Sequence, residues 1–237
     1  MLTIDTRGTH AYPILVLTGL AMGLLVQYLL NTRRGIRCSV AGLTVLACAF
    51  GSLGGGLLLT FITSGGKAVG FSSLGGLAGM YAGALLVAGI AAQPYYPTIT
   101  AQNSTLALPL VYSISKLGCT LAGCCRGMPY HGALSVTYIL EDETVTTLPV
   151  QMIESITFLG LFAFGMWMFH RKTPYLAHYL LQLAMLLKTA LDFLRASHIG
   201  VILSLTQVLC LAIMLIDLCI LLYRKFAPKR QIPHFYG

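Results

Sequence analysis

Apolar residues run along this chain in seven long blocks, and the short stretches between them hold most of the charge. The blocks fall at roughly 11–30, 39–62, 74–93, 104–122, 150–169, 175–194 and 201–223. Each approaches or exceeds the ~20 residues a helix needs to cross ~30 Å of hydrocarbon. The alternating ~10-residue segments of a transmembrane barrel do not occur. The pattern therefore predicts an all-α polytopic membrane protein with seven transmembrane helices, forming a single integral membrane domain over residues 1–237. The fourth block is the weakest, because Pro109, Ser113, Ser115 and Lys116 interrupt it.

The linkers add detail. Only 123–149 is long enough for a folded element of its own, and LSVTYIL within it has the β-branched and aromatic content of a short strand. The first block runs into NTRRGIR and not into a small-residue cleavage site, so it is expected to stay as a helix. GSLGGG at 51–56 and GGLAGMYAGALLVAG at 75–89 carry the small-residue spacing that lets helix backbones approach closely. A second reading of these glycines is that they leave room for a bulky lipid beside the fourth block. The tail APKRQIPHFYG reads as an interfacial or disordered end.

Composition then excludes a water-soluble core. Charged residues make up 9% of the chain, against ~25% in soluble domains, and mean hydropathy is +0.80. Basic residues also sort by side. Alternate linkers hold Arg33, Arg34, Arg37, Arg171, Lys172, Arg224, Lys225, Lys229 and Arg230, while the others hold only Arg7, Lys67 and Arg126. The positive-inside rule then puts the N-terminus outside and the C-terminus in the cytoplasm, with the 123–149 element on the outer face. The net charge of +8 belongs to helix ends near anionic headgroups and does not point to nucleic acid.

Ionisable groups inside the blocks cost ~2.5–3.5 kcal/mol each on insertion scales, so each one calls for an explanation. In KTALDFLR, Lys188, Asp192 and Arg195 stand at i, i+4 and i+7, which would put them on one helix face. Two cations around one carboxylate suit a bound anion such as phosphate, and a purely structural network is the other reading. Glu154 has three readings: orienting a substrate hydroxyl, acting as a base, or pairing with Arg126 or Lys116. Asp217 reads as a helix-packing polar residue. Lys116, Arg126, Lys188 and Arg195 outnumber Glu154 and Asp192 four to two, which suggests an outward-facing pocket for an anionic headgroup.

Ser113–Gly132 also holds Cys119, Cys124, Cys125 and His131. The C-x4-C-C spacing is poor for zinc and no second CxxC exists, so no metal is expected. Three other readings stay open: a disulfide within the trio, a cysteine nucleophile activated by Arg126, and small packing residues.

These same stretches resemble the bacterial prolipoprotein diacylglyceryl transferase family. HAYPILVLTGLAMGL followed by RRGI is similar to the family's first helix, with Tyr12 at its functional tyrosine. SSLGGLAGMYAG is similar to its histidine-glycine-glycine-leucine loop, with Gly75 and Gly76 as the glycines. SISKLGCTLAGCCRGMP resembles its signature segment, LPVQMIESI its glutamine and glutamate (Gln151 and Glu154), and KTALDFLR its final charged triplet. The chain departs from the pattern at Leu74 for the histidine, Lys116 for an arginine, Cys119 for an asparagine and Cys124 for an acidic residue. Lys188 and Asp192 stand in for an arginine and a glutamate.

The resemblance implies transfer of a diacylglyceryl group from phosphatidylglycerol to the lipobox cysteine of a prolipoprotein signal peptide. The reaction would take place at the outer side of the bacterial cytoplasmic membrane, without a cofactor. It implies Glu154, His131 and Tyr12 as catalytic candidates. Lys116, Arg126, Lys188, Asp192, Arg195, Gln151, Gly75 and Gly76 would bind substrate. Two alternatives stand beside it: the same fold acting on an anionic phospholipid with another acceptor, and a non-catalytic lipid-binding membrane protein.

Overall fold

The computed structural model describes residues 2–7, 11–67, 70–91, 96–141 and 143–226. Asp142 and the tail from 227, with Lys229 and Arg230, lie outside the described residues. Among the described residues there are seven α-helices: α1 Ala11–Arg33, α2 Cys38–Thr63, α3 Ser73–Ile90, α4 Tyr96–Leu121, α5 Val150–His170, α6 Leu176–Asp192 and α7 Leu205–Phe226. Each overlaps one apolar block; the fourth stays helical through Pro109, but its helix begins at Tyr96, well before the expected start at 104.

Helices α1, α2, α3, α5 and α7 are long and apolar enough to cross a membrane. Helix α4 is more polar, with Asn103, Ser104 and Thr105 buried, and α6 has 17 residues. Outward-facing side chains such as Phe50, Leu58, Leu86, Ile156 and Leu215 are more than half exposed, as suits a lipid solvent and not water. The chain is a mostly helical polytopic membrane protein.

Three short strands complete the element order: β1 Leu2–Asp5, β2 Val136–Ile139 and β3 Thr144–Thr147. They form one sheet in the order β1-β2-β3. The strand expected in LSVTYIL is β2. It pairs antiparallel with β3 and parallel with β1, with Leu2 opposite Val136. Tyr138 is fully buried in this sheet, and burial pushes its phenol up to about 12.

The chain forms two compact units. One comprises Met1–Leu20, Pro109–Phe164 and Leu181–Leu218, and therefore holds the sheet and parts of α1, α4, α5, α6 and α7. The other comprises Ala21–Leu108, Gly165–Leu180 and the residues from Cys219.

In the second unit, α2 packs on α3 through glycines. A Cβ on Gly79 would collide with the Gly51 carbonyl, one on Gly55 with the Gly75 carbonyl, and one on Gly83 with the Ala47 carbonyl. Close backbone packing is therefore what these glycines do, and the space read for a lipid is filled by the neighbouring helix. Three polar pairs join α1 to α4 in this unit: Gln27 to Ser104, Asn103 to Asn31 and Arg34 to Gln102, each at 2.8 Å. The α1–α2 turn closes with Gly35 at φ +81° and Ile36 N–H donating to the Asn31 carbonyl, a glycine-terminated helix end.

Candidate functional site

The polar centre of the first unit is built on α4. Tyr112, Lys116 and Cys119 stand at i, i+4 and i+7, so they share one face of the helix. Helix α5 meets that face through a reciprocal serine clasp. Ser113 Oγ donates to the Ser155 carbonyl at 2.8 Å, and Ser155 Oγ donates to the Ser113 carbonyl at 2.9 Å. Both serines are buried, and each is the sequence neighbour of a site residue: Tyr112 on α4 and Glu154 on α5. The clasp thereby sets the register between phenol and carboxylate.

Glu154 is fully buried. Its Oε2 lies 2.7 Å from Lys116 Nζ, and its Oε1 lies 2.5 Å from Arg195 NH2. The Tyr112 hydroxyl donates to Oε1 at 3.0 Å and accepts from Lys188 Nζ at 2.8 Å. The same ring carries both lysines, with Lys188 Nζ 4.3 Å and Lys116 Nζ 5.1 Å from its centroid. A buried carboxylate is tolerable only when paired. Here two cations oppose its charge and a phenol donates to Oε1, while Oε2 has the Lys116 ion pair and no hydrogen bond among the described residues.

Arg195 is delivered by backbone, not by a helix. Helix α6 ends at Asp192, and Arg195 is extended with φ −86° and ψ 147°. The expected single helix face for Lys188, Asp192 and Arg195 therefore stops short of Arg195. The cause is a strand-like pairing with the long linker. Met128 N–H donates to the Leu194 carbonyl and Ala196 N–H to the Arg126 carbonyl, both at 3.0 Å, with Gly127 bridged to Arg195. Gly127 must be glycine here, since a Cβ would collide with the Leu148 carbonyl.

Asp192 keeps its pairing with Arg195 at 3.4 Å and accepts from the Ser204 hydroxyl. Ser204 in turn caps α7. Its Oγ accepts from Gln207 N–H at 3.2 Å, while Gln207 Oε1 accepts from Ser204 N–H at 2.9 Å. This is the reciprocal capping box spelled by SLTQ.

The other candidate residues divide. Gln151 is buried and its Nε2 donates to the Cys124 carbonyl at 2.8 Å, fixing the start of the linker. Tyr12 runs beside α4, where Gly118 packs close to its backbone. Arg126 pairs with Glu143 at 3.3 Å in an exposed contact and does not join the cluster around Glu154. His131 is exposed on the linker. Gly75 and Gly76 belong to the other unit, packed against α2 and Phe71. Asp217 accepts from Gln182 at 3.0 Å between α6 and α7, a packing contact.

The sequence reading missed Tyr112, which links Lys188 to Glu154. The available signal was its position one helical turn before Lys116. It also missed Ser113, Ser155 and Ser204, whose small hydroxyls set helix registers around the charges.

The cluster of Lys116, Lys188 and Arg195 against Glu154 and Asp192 holds three cations and two carboxylates. Arg195 Nε is buried with no hydrogen-bond partner among the described residues. Such a site has one positive charge in excess and a spare donor, which suits an anion.

No curated protein gives a significant match to the chain. The family model described as prolipoprotein diacylglyceryl transferase matches residues 1–223, so it takes in every strand and helix except the last three residues of α7. With seven helices, a membrane-facing apolar exterior and a buried cationic centre beneath that match, the chain belongs to the prolipoprotein diacylglyceryl transferase family, a family of membrane transferases.

Proposed function

We propose that this protein moves a diacylglyceryl group from phosphatidylglycerol to the lipobox cysteine of a prolipoprotein. The reaction takes place at the outer side of the bacterial cytoplasmic membrane. In this reading all seven helices cross the bilayer, with the N-terminus outside and the C-terminus in the cytoplasm. The asymmetry of Lys and Arg between alternate linkers supports that orientation.

The observation that carries the proposal is the excess of buried cations around Glu154. The acceptor thiolate attacks a glyceryl carbon. A sulfur–carbon bond forms as the carbon–oxygen bond to phosphate breaks, and glycerol phosphate leaves with the electron pair. Charge grows on the phosphate during this step, so fixed cations lower the barrier. Lys116, Lys188 and Arg195 are assigned to the phosphate. Glu154 and Tyr112 hold those cations in place, and a phosphate entering the cluster would compete with Glu154 for Lys116 and Arg195.

Expression in cells depleted of their own transferase tests this. Mass spectrometry of a reporter lipoprotein should find thioether-linked diacylglycerol, and Lys188→Ala and Arg195→Ala should each abolish it. A folded, membrane-inserted protein that gives no modification would overturn the proposal. A tightly co-purified phospholipid under those conditions would instead favour the non-catalytic lipid binder.

A further inference from the structure

Cys119, Cys124 and Cys125 are separated by up to six positions in sequence, yet their three sulfur atoms lie within 4.8 Å of one another. The backbone explains how a spacing unsuited to an ordinary zinc motif achieves this. Cys119 sits on the last turns of α4 and is buried. The chain then reverses through Gly123 at φ +63° and Cys125 at φ +54°. Adjacent side chains in extended backbone point to opposite sides, but the left-handed turn at Cys125 brings both neighbouring sulfurs back toward Cys119. A non-glycine residue in that region is uncommon and concentrates where function requires it. The Gln151 side chain holds the turn by its hydrogen bond to the Cys124 carbonyl.

Packing alone does not account for the trio. Cys124 is only half-buried and Cys125 is exposed, whereas packing thiols are usually enclosed. A tetrahedral ion with metal–sulfur bonds of ~2.3 Å needs sulfurs about 3.8 Å apart, within a small rotamer adjustment of the observed group. Three thiolates on a divalent ion leave one negative charge. Lys116, one turn before Cys119 on α4, places a positive charge next to this group.

We propose that Cys119, Cys124 and Cys125 form a three-thiolate site for a thiophilic divalent ion of the zinc class, with the fourth position open to the acceptor thiol. The second half of this statement rests on the transferase reading above. Three protein ligands with one open position is the arrangement of reactive zinc, and a thiol that coordinates such an ion is bound as its thiolate. This would supply an ionisation that the charged cluster lacks, because Glu154 is already occupied by Lys116, Arg195 and Tyr112. The acceptor thiol releases its proton to water on coordination. Its metal-bound sulfur then attacks the glyceryl carbon as the phosphate leaves with the carbon–oxygen electron pair, and the metal stays divalent throughout.

The test uses the full chain, purified in detergent under reducing conditions and stripped with a chelator. Zn2+ titrated against a chromophoric competitor should bind at one ion per chain. Co2+ in its place should show sulfur-to-cobalt charge transfer and the visible bands of a tetrahedral site. Cys119→Ser, Cys124→Ser and Cys125→Ser should each weaken Zn2+ binding at least tenfold. On the unaltered protein, Zn2+ should protect Cys125 from maleimide labelling, read by peptide mass mapping, so the proposal does not depend on any variant folding. A lipobox peptide should shift the Co2+ bands, and its Cys→Ser analogue should not.

Three results would overturn the site: no stoichiometric binding, unchanged binding in the three variants, or a disulfide within the trio in protein isolated without reductant. Full diacylglyceryl transfer by chelator-stripped protein would remove the metal's part in the reaction and leave the transferase reading standing. Stoichiometric binding with a peptide response but no lipid transfer would support the site and remove the transferase reading.

Discussion

Lys188 reaches Glu154 through the hydroxyl of Tyr112, which accepts from the ammonium at 2.8 Å and donates to the carboxylate at 3.0 Å. One phenol therefore joins α4, α5 and α6, and its ring lies under both lysines. The cations are held by this relay as much as by direct ion pairs.

Tyr112→Phe keeps the ring and removes the relay. A buried ammonium then loses a hydrogen bond of the kind worth about 1.5–3 kcal/mol. Transfer activity on a reporter lipoprotein should fall roughly 10- to 100-fold while the protein remains folded. Unchanged activity would remove Tyr112 from the arrangement.

Glu154→Gln leaves Lys116, Lys188 and Arg195 with only Asp192 to oppose them. Breaking a buried ion pair from one side costs about 3–5 kcal/mol, so thermal unfolding in detergent should move to clearly lower temperature. Added phosphatidylglycerol should recover part of that loss, because an anion can replace the missing charge. A loss that the lipid does not touch would argue against an anion site.

Arg126→Ala should change little. Its contact with Glu143 is solvent-exposed, and exposed pairs contribute about 0–1 kcal/mol. Activity within about fivefold of the unaltered protein is expected. A collapse as deep as that of Arg195→Ala would show that Arg126 reaches substrate.

Glycine substitutions in α2 and α3 should split by position. Gly79→Val drives a side chain into the Gly51 carbonyl and should destabilise by about 1–3 kcal/mol or more. Gly54 has open space at its Cα, so Gly54→Ala should be neutral or stabilise by about 0.5–1 kcal/mol through helix propensity. Melting of the two purified variants checks both signs.

The helices could be read from sequence because a membrane imposes long, uninterrupted apolar blocks, and all seven blocks became helices. What stayed hidden depends on contacts distant in the chain. LTID carries no strong strand signal, and it becomes β1 only by lying parallel to residues 136–139. Arg195 was assigned to a helix face because its spacing fits one. Its real geometry comes from pairing with the backbone of 126–128, nearly seventy residues earlier. Tyr112 looks in sequence like any aromatic in an apolar block. Only the arrival of Glu154 and Lys188 beside it distinguishes it from core. For the three cysteines the spacing argues only against a metal, and spacing does not record that the backbone turns left-handed at Cys125 and gathers the sulfurs.

The glycine contact between α2 and α3 bears on the order in which the chain assembles during synthesis. The two helices are consecutive, joined by a short connection, and they meet backbone to backbone. This hairpin can pair as soon as residue 90 has entered the membrane. The charged cluster needs Glu154 from α5, Lys188 from α6, and Asp192 tied to Ser204 at the head of α7. A nascent chain released before α7 would already hold the glycine hairpin and the ion pairs around Glu154, and would lack the hydrogen bond by which Ser204 at the head of α7 fixes Asp192. The last helix to emerge therefore adds the capping contact that fixes Asp192, not the charges themselves.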